Sequence, residues 1–308
     1  MIFNLNLISP SGYCPADKYE LALKQWQSLG YNIANIDIGY RKYLRFGGTD
    51  AQRLADFSFS NLDIQPTCHN IIMPIRGGYG LSRILEQINW HQIADTINQY
   101  NLKVIGHSDF TLFNLALLSL TNTISLSGPM FTSDFGVENV NPFMLESFSK
   151  AINNQDLCYK INALDVLDAQ NYNIDGILWG GNLAMLCSII GTKYLPKTRG
   201  ILFFEDINEH PYRVERMLYQ LYHNNILQNQ KAIIFGDFSG YKLTSYDNGY
   251  NFDELLSYWR LKLKPYNIPI FTHLLFGHCY AKATLPIGAK SYIQTIKDNY
   301  YLNISFEK

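Results

Sequence analysis

No run of about 18 apolar residues occurs in this 308-residue chain, so a membrane-spanning helix is not expected. Cysteine is sparse and odd in number: Cys14, Cys68, Cys158, Cys187 and Cys279, with no C-x-x-C spacing. That argues against a disulfide framework and against a zinc-type ligand set, so no metal is implied. Reduced, small, buried thiols are the simplest reading. Charge is also scarce. Charged residues make up 17%, and 25 Lys+Arg against 26 Asp+Glu leave a net charge of −1. Nucleic-acid binding needs a clustered basic excess, so it is not expected, and any substrate must be held by a local site. The opening segment Met1–Ser9 has no basic n-region and no small-residue cleavage site. It reads as a first strand and not as a signal peptide, which points to the cytoplasm. What the chain does have is apolar material: 47% hydrophobic residues, enough for packed cores in two modest domains.

The first part alternates short apolar runs with helical spacing. Strands are expected at Phe3–Ile8, Asn32–Ile38, Asn70–Ile75, Leu102–Ile105 and Thr123–Leu126. Between them the spacing predicts helices over Ala16–Leu29, Asp50–Ser58, Leu81–Tyr100 and Phe110–Leu120. Such alternation implies a parallel, doubly wound sheet covered on both faces, with ligands at the carboxyl ends of its strands. The division read from the pattern is an N-terminal domain over 1–135, a polar, Asn-rich crossover over 136–170 with a helix near Phe143–Ile152, and a smaller C-terminal α/β domain over 171–308. In the last of these, strands are expected at Gly176–Trp179, Ile201–Phe204, Lys231–Phe235 and Ile268–Thr272. Helices are expected at Leu183–Ile190 and Tyr212–His223, and two β segments meet near Lys297-Asp-Asn299.

Four segments carry candidate chemistry, each after an expected strand. In Gly106-His107-Ser108-Asp109-Phe110 a strand runs into Gly, and a Ser opens a helix two residues later. This is the layout of a nucleophile elbow, with the N–H of Asp109 at a helix start where an oxyanion can form. Phe110 replaces the glycine of the usual α/β-hydrolase pattern, and an N-cap serine is the other reading. Arg76-Gly77-Gly78-Tyr79-Gly80 lets a ligand approach the main chain and can supply a second oxyanion N–H, or be a plain tight turn. It lacks the spacing of a phosphate loop. Glu205-Asp206 ends an apolar strand, where a carboxylate can orient a histidine or favour a following helix start. Gly277-His278 offers a base that titrates near neutrality, with a structural histidine as the alternative and His273 and His107 as rivals. These residues by themselves support a serine hydrolase, with activity rising from about pH 5 to 7 as the base loses its proton.

Taken in order, Ser9-Pro-Ser-Gly12, Arg76-Gly-Gly-Tyr-Gly80, Gly106-His-Ser-Asp109, Gly180-Gly-Asn182, Glu205-Asp206 with Pro211-Tyr-Arg213 and Arg216, and Gly277-His278 resemble the signatures of the L,D-carboxypeptidases. These murein tetrapeptide carboxypeptidases are related to the microcin-immunity serine peptidases. The resemblance implies Ser108 as nucleophile, His278 as base and Glu205 as its orienter. Asp109 and Gly77, or Gly78, would form the oxyanion hole, and Arg76, Tyr79 and Asn182 would lie near the substrate, with Arg76 toward the D-alanine carboxylate. It further implies an active site at the domain interface, no cofactor, a homodimer, and a muropeptide ending in D-alanine as partner, met during cell-wall peptide recycling. Hydrolysis of peptidyl or aminoacyl adenylates, L,D-endopeptidase activity, and a catalytically retired peptide-binding protein are the alternatives. His107, Trp179 and Cys279 depart from the family pattern, where Tyr, an aliphatic residue and Gly are common.

Overall fold

The computed structural model describes residues 3–59, 62–64, 68–164, 171–296 and 299–306. The first half runs β1 (Phe3–Ile8), α1 (Ala16–Ser28), β2 (Asn32–Ala34), α2 (Asp50–Ala55), β3 (His69–Pro74), α3 (Trp90–Tyr100), β4 (Lys103–Val104), α4 (Thr111–Thr121), β5 (Ser125–Ser127) and α5 (Phe131–Phe135). Its sheet has the order β2-β1-β3-β4, all parallel, and a bridge from Ile105 to Leu126 adds β5 beyond β4. The chain leaves β1 toward β2 and later leaves β3 in the opposite direction. Right-handed crossovers then place α1 and α3 on opposite faces, which is the doubly wound arrangement, with its switch point between β1 and β3.

Asparagine punctuates the elements. The Asn89 side chain accepts from Gln92 N, so α3 begins only at Trp90, and the expected single helix Leu81–Tyr100 is instead two 3-10 turns followed by α3. Asn35, at φ 50°, ends β2 early and exchanges two hydrogen bonds with the Leu7 backbone, at 2.7 and 3.0 Å. The expected strand to Ile38 is therefore shorter. An amide that mimics a backbone partner competes successfully with the ladder here.

The second half contains α6 (Pro142–Ile152), β6 (Leu157–Ala163), β7 (Asn173–Asn182), α7 (Leu183–Ser188), β8 (Ile201–Ile207), α8 (Pro211–His223), β9 (Ala232–Ser239), α9 (Phe252–Leu263), β10 (Ile270–Thr272), β11 (Leu285–Ile287), β12 (Lys290–Ile296) and β13 (Asn299–Ser305). Among the described residues its strands, β11 apart, close into a barrel in the order β10-β6-β13-β12-β7-β8-β9. Strands β7 to β10 are parallel, and β12, β13 and β6 join antiparallel. The stretch expected as a crossover thus holds a barrel strand. Strand β6 alternates buried Leu157, Tyr159, Ile161 and Ala163 with exposed neighbours, the period-two pattern of a half-buried strand. Residues 165–170 of that stretch, and Lys297 and Asp298 of the expected terminal turn, lie outside the described residues. No helix among the described residues is long and apolar enough to cross a membrane.

The halves are joined by pairing and by charge. Strand β11 pairs antiparallel with β5. Beside it, Lys282 is 2% exposed and donates to Asp134 Oδ1 at 2.6 Å, while Asp134 is itself only 7% exposed. The ammonium also donates to His107 Nε2 at 2.9 Å. A buried ion pair is a weak source of net stability, but removing one member strands the other in a poorly solvated site. Lys282→Met is therefore expected to destabilise the fold by roughly 3–5 kcal/mol. Lys282→Met combined with Asp134→Asn should recover part of that loss. Urea unfolding of the single and double variants checks both; equal midpoints for wild type and Lys282→Met would refute the role given to this pair.

Candidate active site

The carboxyl ends of β1, β3 and β4 open into one crevice at the switch point, where ligands bind in open α/β sheets. Two buried groups fasten the loops there. Arg53 is fully buried, donates to the carbonyls of Pro10 and Gly80, and pairs with Asp50 at 2.6 Å. Asp109 Oδ2 accepts from Ser11 Oγ at 2.6 Å and from Leu81 N at 3.0 Å. Burial raises the Asp109 carboxyl above its ordinary value, against the lowering effect of those donors. One residue from the loop after β1 and one from the loop after β3 are thus tied to the elbow.

Ser108 adopts φ 61°, a left-handed conformation that costs a non-glycine residue roughly 1–3 kcal/mol. It follows β4 and opens a 3-10 turn, Ser108–Phe110, that leads directly into α4. The opposite wall is Gly77. A Cβ there would sit 2.8 Å from Ser108 Cβ and 2.9 Å from Ser108 Oγ, so only glycine fits. Among the described residues the N–H groups of Gly77 and Gly78 meet no protein acceptor. They are available to a ligand oxygen.

From the barrel, β8 and the loop after β10 bring a second pair of groups. Glu205 is fully buried near the end of β8, where the ladder to β9 shifts register between Phe204 and Asp206, a bulge of the kind that re-aims side chains. His278 Nδ1 lies 2.9 Å from Glu205 Oε2. The second carboxylate oxygen, Oε1, is buried with no partner among the described residues. Gly277, at φ 141°, lets this loop pass close to β8 and β9, because a Cβ would meet Asp237 Cβ at 2.9 Å and Glu205 Cβ at 3.2 Å. Burial lowers the His278 pKa, but the hydrogen bond and negative charge of Glu205 outweigh it, and the net shift is upward from 6.5.

Ser108 and His278 line one cavity of about 340 Å³, together with Arg76, Gly77, Asn182 and Asp206. Tyr79 is not on its wall. It lines an adjoining cavity of about 190 Å³ that shares Arg76 and Gly78 with the first. Asn182 reaches the larger cavity with its amide committed at both ends, donating to Asp206 Oδ1 at 3.0 Å and accepting from Met185 N at 3.1 Å. Asp206 is pushed up to about 6 by burial and by the neighbouring Glu205.

The rival histidines are otherwise engaged. His107 Nδ1 is 2.9 Å from the Gly128 carbonyl, and its Nε2 accepts from Lys282. Since Lys282 can only donate, the His107 proton sits on Nδ1. Burial first, and the Lys282 charge next, hold its pKa well below 6.5. Its ring packs edge-on against His278 with centroids 5.1 Å apart. His273 bonds Thr272 and does not line the cavity. Trp179 is fully buried and donates to Gln230 Oε1 at 3.1 Å, away from any ligand. The Cys279 thiol is pushed up to about 11 by burial, so it is no nucleophile near neutrality. Sequence reasoning missed Lys282, Asp134 and Arg53. A lone lysine in the apolar run Ala281-Lys-Ala-Thr-Leu-Pro286 was the one available signal; Asp134 and Arg53 carried none.

Among the described residues no cluster of His, Cys, Asp or Glu has the arrangement of a metal site. Comparison with known proteins then gives the family. Residues 5–128 match the model of the LD-carboxypeptidase N-terminal domain, and residues 175–293 match that of the LD-carboxypeptidase C-terminal domain. The muramoyltetrapeptide carboxypeptidase of Oxalobacter formigenes is 36% identical, superposes with a TM-score of 0.85, and covers 98% of each chain. The murein tetrapeptide carboxypeptidase of Pseudomonas aeruginosa is 25% identical over 304 residues, covering 94% of this chain and 92% of that protein. The microcin C7 self immunity protein MccF, solved in complex with aspartyl sulfamoyl adenosine, shares the fold at a TM-score of 0.82 and 21% identity, covering 100% of this chain and 97% of that one. With both of its halves matched in order, the chain belongs to the LD-carboxypeptidase family of peptidases.

Proposed function

We propose that this peptidase releases the terminal D-alanine from a murein tetrapeptide, using Ser108 as nucleophile, His278 as general base and Glu205 as the group that orients it. The observation that carries the reading is the 2.9 Å bond from His278 Nδ1 to the buried Glu205, made beside the cavity into which the strained Ser108 opens. With the Nδ1 proton held by Glu205, Nε2 is the acceptor for the Ser108 proton. The serine oxygen attacks the carbonyl between the L-centre and D-alanine. The N–H groups of Gly77 and Asp109 take the developing oxyanion, with Gly78 as the alternative to Gly77. Protonated His278 then gives its proton to the leaving amine, and water, activated by the same imidazole, hydrolyses the acyl-enzyme. Arg76 faces the D-alanine carboxylate, since a guanidinium binds a carboxylate through paired N–H donors. The names of the relatives from Oxalobacter formigenes and Pseudomonas aeruginosa support this substrate class. We place the reaction in the recycling of cell-wall peptides. A second reading, hydrolysis of an acyl adenylate, draws on the fold shared with MccF.

Mass spectrometry of the tetrapeptide after incubation tests the central point. Wild type is expected to remove one alanine, and Ser108→Ala to lose roughly 10⁴-fold or more of that rate. Turnover of an acyl-sulfamoyl adenylate, with the tetrapeptide left intact, would favour the second reading instead.

The pH profile follows from the geometry. His278 must be neutral to act as base, and its pKa lies above 6.5. The neutral form is lost as pH falls through that raised value, so the acid limb of kcat/KM should be centred above 6.5, higher than the sequence alone suggests. Glu205→Gln removes the charge that raises it. The limb should then move toward acid while the rate falls by about 10²- to 10⁴-fold. An unmoved limb in Glu205→Gln would contradict the His278–Glu205 pairing as the source of the profile.

A further inference from the structure

The cavity beside the Ser108 crevice is lined by two arginines that form no ion pair among the described residues. Arg45 and Arg76 both border it, with Tyr13, Tyr79 and Gly78 completing most of the wall, and no carboxylate faces it. Among the described residues neither guanidinium has an acidic partner: Arg76 donates only to the Tyr13 carbonyl, at 3.3 Å, and Arg45 makes no side-chain hydrogen bond. This contrasts with Arg41 and Arg53, each paired with an aspartate at 2.6 Å. Both free arginines are nonetheless held in place. Arg45 lies over the Tyr79 ring, 5.6 Å from its centroid, and Arg76 is tethered to the loop that follows β1. Lys42, 4.3 Å from the centre of the Tyr13 ring, adds a third positive charge at the rim. The Ser108 cavity differs at its far side, where Asp206 stands beside Asn182. The crevice is therefore electrically polar, positive at the end where Arg76 and Gly78 are common to both cavities.

We infer that Arg45 and Arg76 together form a subsite for the free terminal carboxylate of the peptide, and that this subsite directs the enzyme to chain ends and away from internal bonds. The inference rests on the peptidase reading above, which already gives one arginine to that carboxylate. It adds Arg45 as a second binding residue and adds the consequence for specificity. Ser108 and Gly77 line the first cavity, and Arg76 and Gly78 border both, so a peptide held at Ser108 enters the second cavity past Arg76. A peptide continuing past that point would have to place an uncharged amide between the two guanidinium groups, and would leave them without an anion. That loss is the negative half of a specificity device.

The test uses Nα,Nε-diacetyl-L-Lys-D-Ala and its C-terminal amide, whose difference is the single carboxylate. Calorimetric binding to Ser108→Ala, which does not turn over, is expected to favour the acid by roughly tenfold or more, the range of a hydrogen bond to a charged group. Adding Arg45→Ala should shrink the ratio of acid to amide affinity by several-fold, chiefly through weaker binding of the acid. Arg45→Lys should restore part of it. Arg45 is exposed, so these variants are expected to fold. Equal affinity for acid and amide, or an unchanged ratio in Arg45→Ala, overturns the inference. If the acid preference depends on Arg45 yet wild type releases no D-alanine from the tetrapeptide, the subsite stands and the reaction assignment fails.

Discussion

A buried ammonium ion holds the two halves of this protein against each other. Lys282 comes from the loop that follows His278, and its partners, Asp134 and His107, come from the other half. His107 precedes Ser108 directly, and Asp134 Oδ2 receives the N–H of Met130, which lines the same cavity. The contact therefore links the histidine loop, the elbow and the cavity wall in one step. Because every member is buried, the charge cannot be released to water without a large desolvation cost, and the geometry has few alternatives. The reaction proposed here depends on such a link, since its nucleophile and its base are supplied by different halves.

The same network decides which histidine is free to work. Lys282 occupies the acceptor nitrogen of His107 and raises the cost of charging it, so that ring stays neutral. His278, packed edge-on against it, faces the buried Glu205 carboxylate and is pushed the other way. Two imidazoles about 5 Å apart are thus shifted in opposite directions, His107 down by burial and the Lys282 charge, His278 up by Glu205 against its own burial. The strain at Ser108 belongs to the same design. A left-handed serine persists because Gly77 leaves room for it and because Asp109, immediately after it, is fastened to the loops beyond β1 and β3.

Much of this was legible in the linear pattern. Alternating apolar runs and helical spacing gave the doubly wound sheet, and each candidate segment does lie in the last residues of a strand or in the loop after one, because parallel strands place their outgoing loops on one edge. Strand β6 was missed although its alternation was present, since a polar, Asn-rich setting masked it. The length of Leu81–Tyr100 was overestimated because Asn89 was read as helix interior and not as a cap. Trp179 and Cys279 looked like departures near a site; the first is packed inside the barrel against Gln230, and the second is a thiol raised by burial.

The sequence by itself determined the class of the fold, the order of its motifs and the chemical types at Ser108, Glu205 and His278. Local spacing and residue chemistry are enough for these, because a strand, a glycine turn and a helix start are short-range events. Only the tertiary structure decided the closure of the barrel, the tautomer of His107, the bridging role of Lys282 and the pairing of Arg45 with Arg76 around one cavity. Each of these joins residues far apart in the chain. Their energies come from burial and from charges meeting at low solvent exposure, and neither exists until the chain has folded.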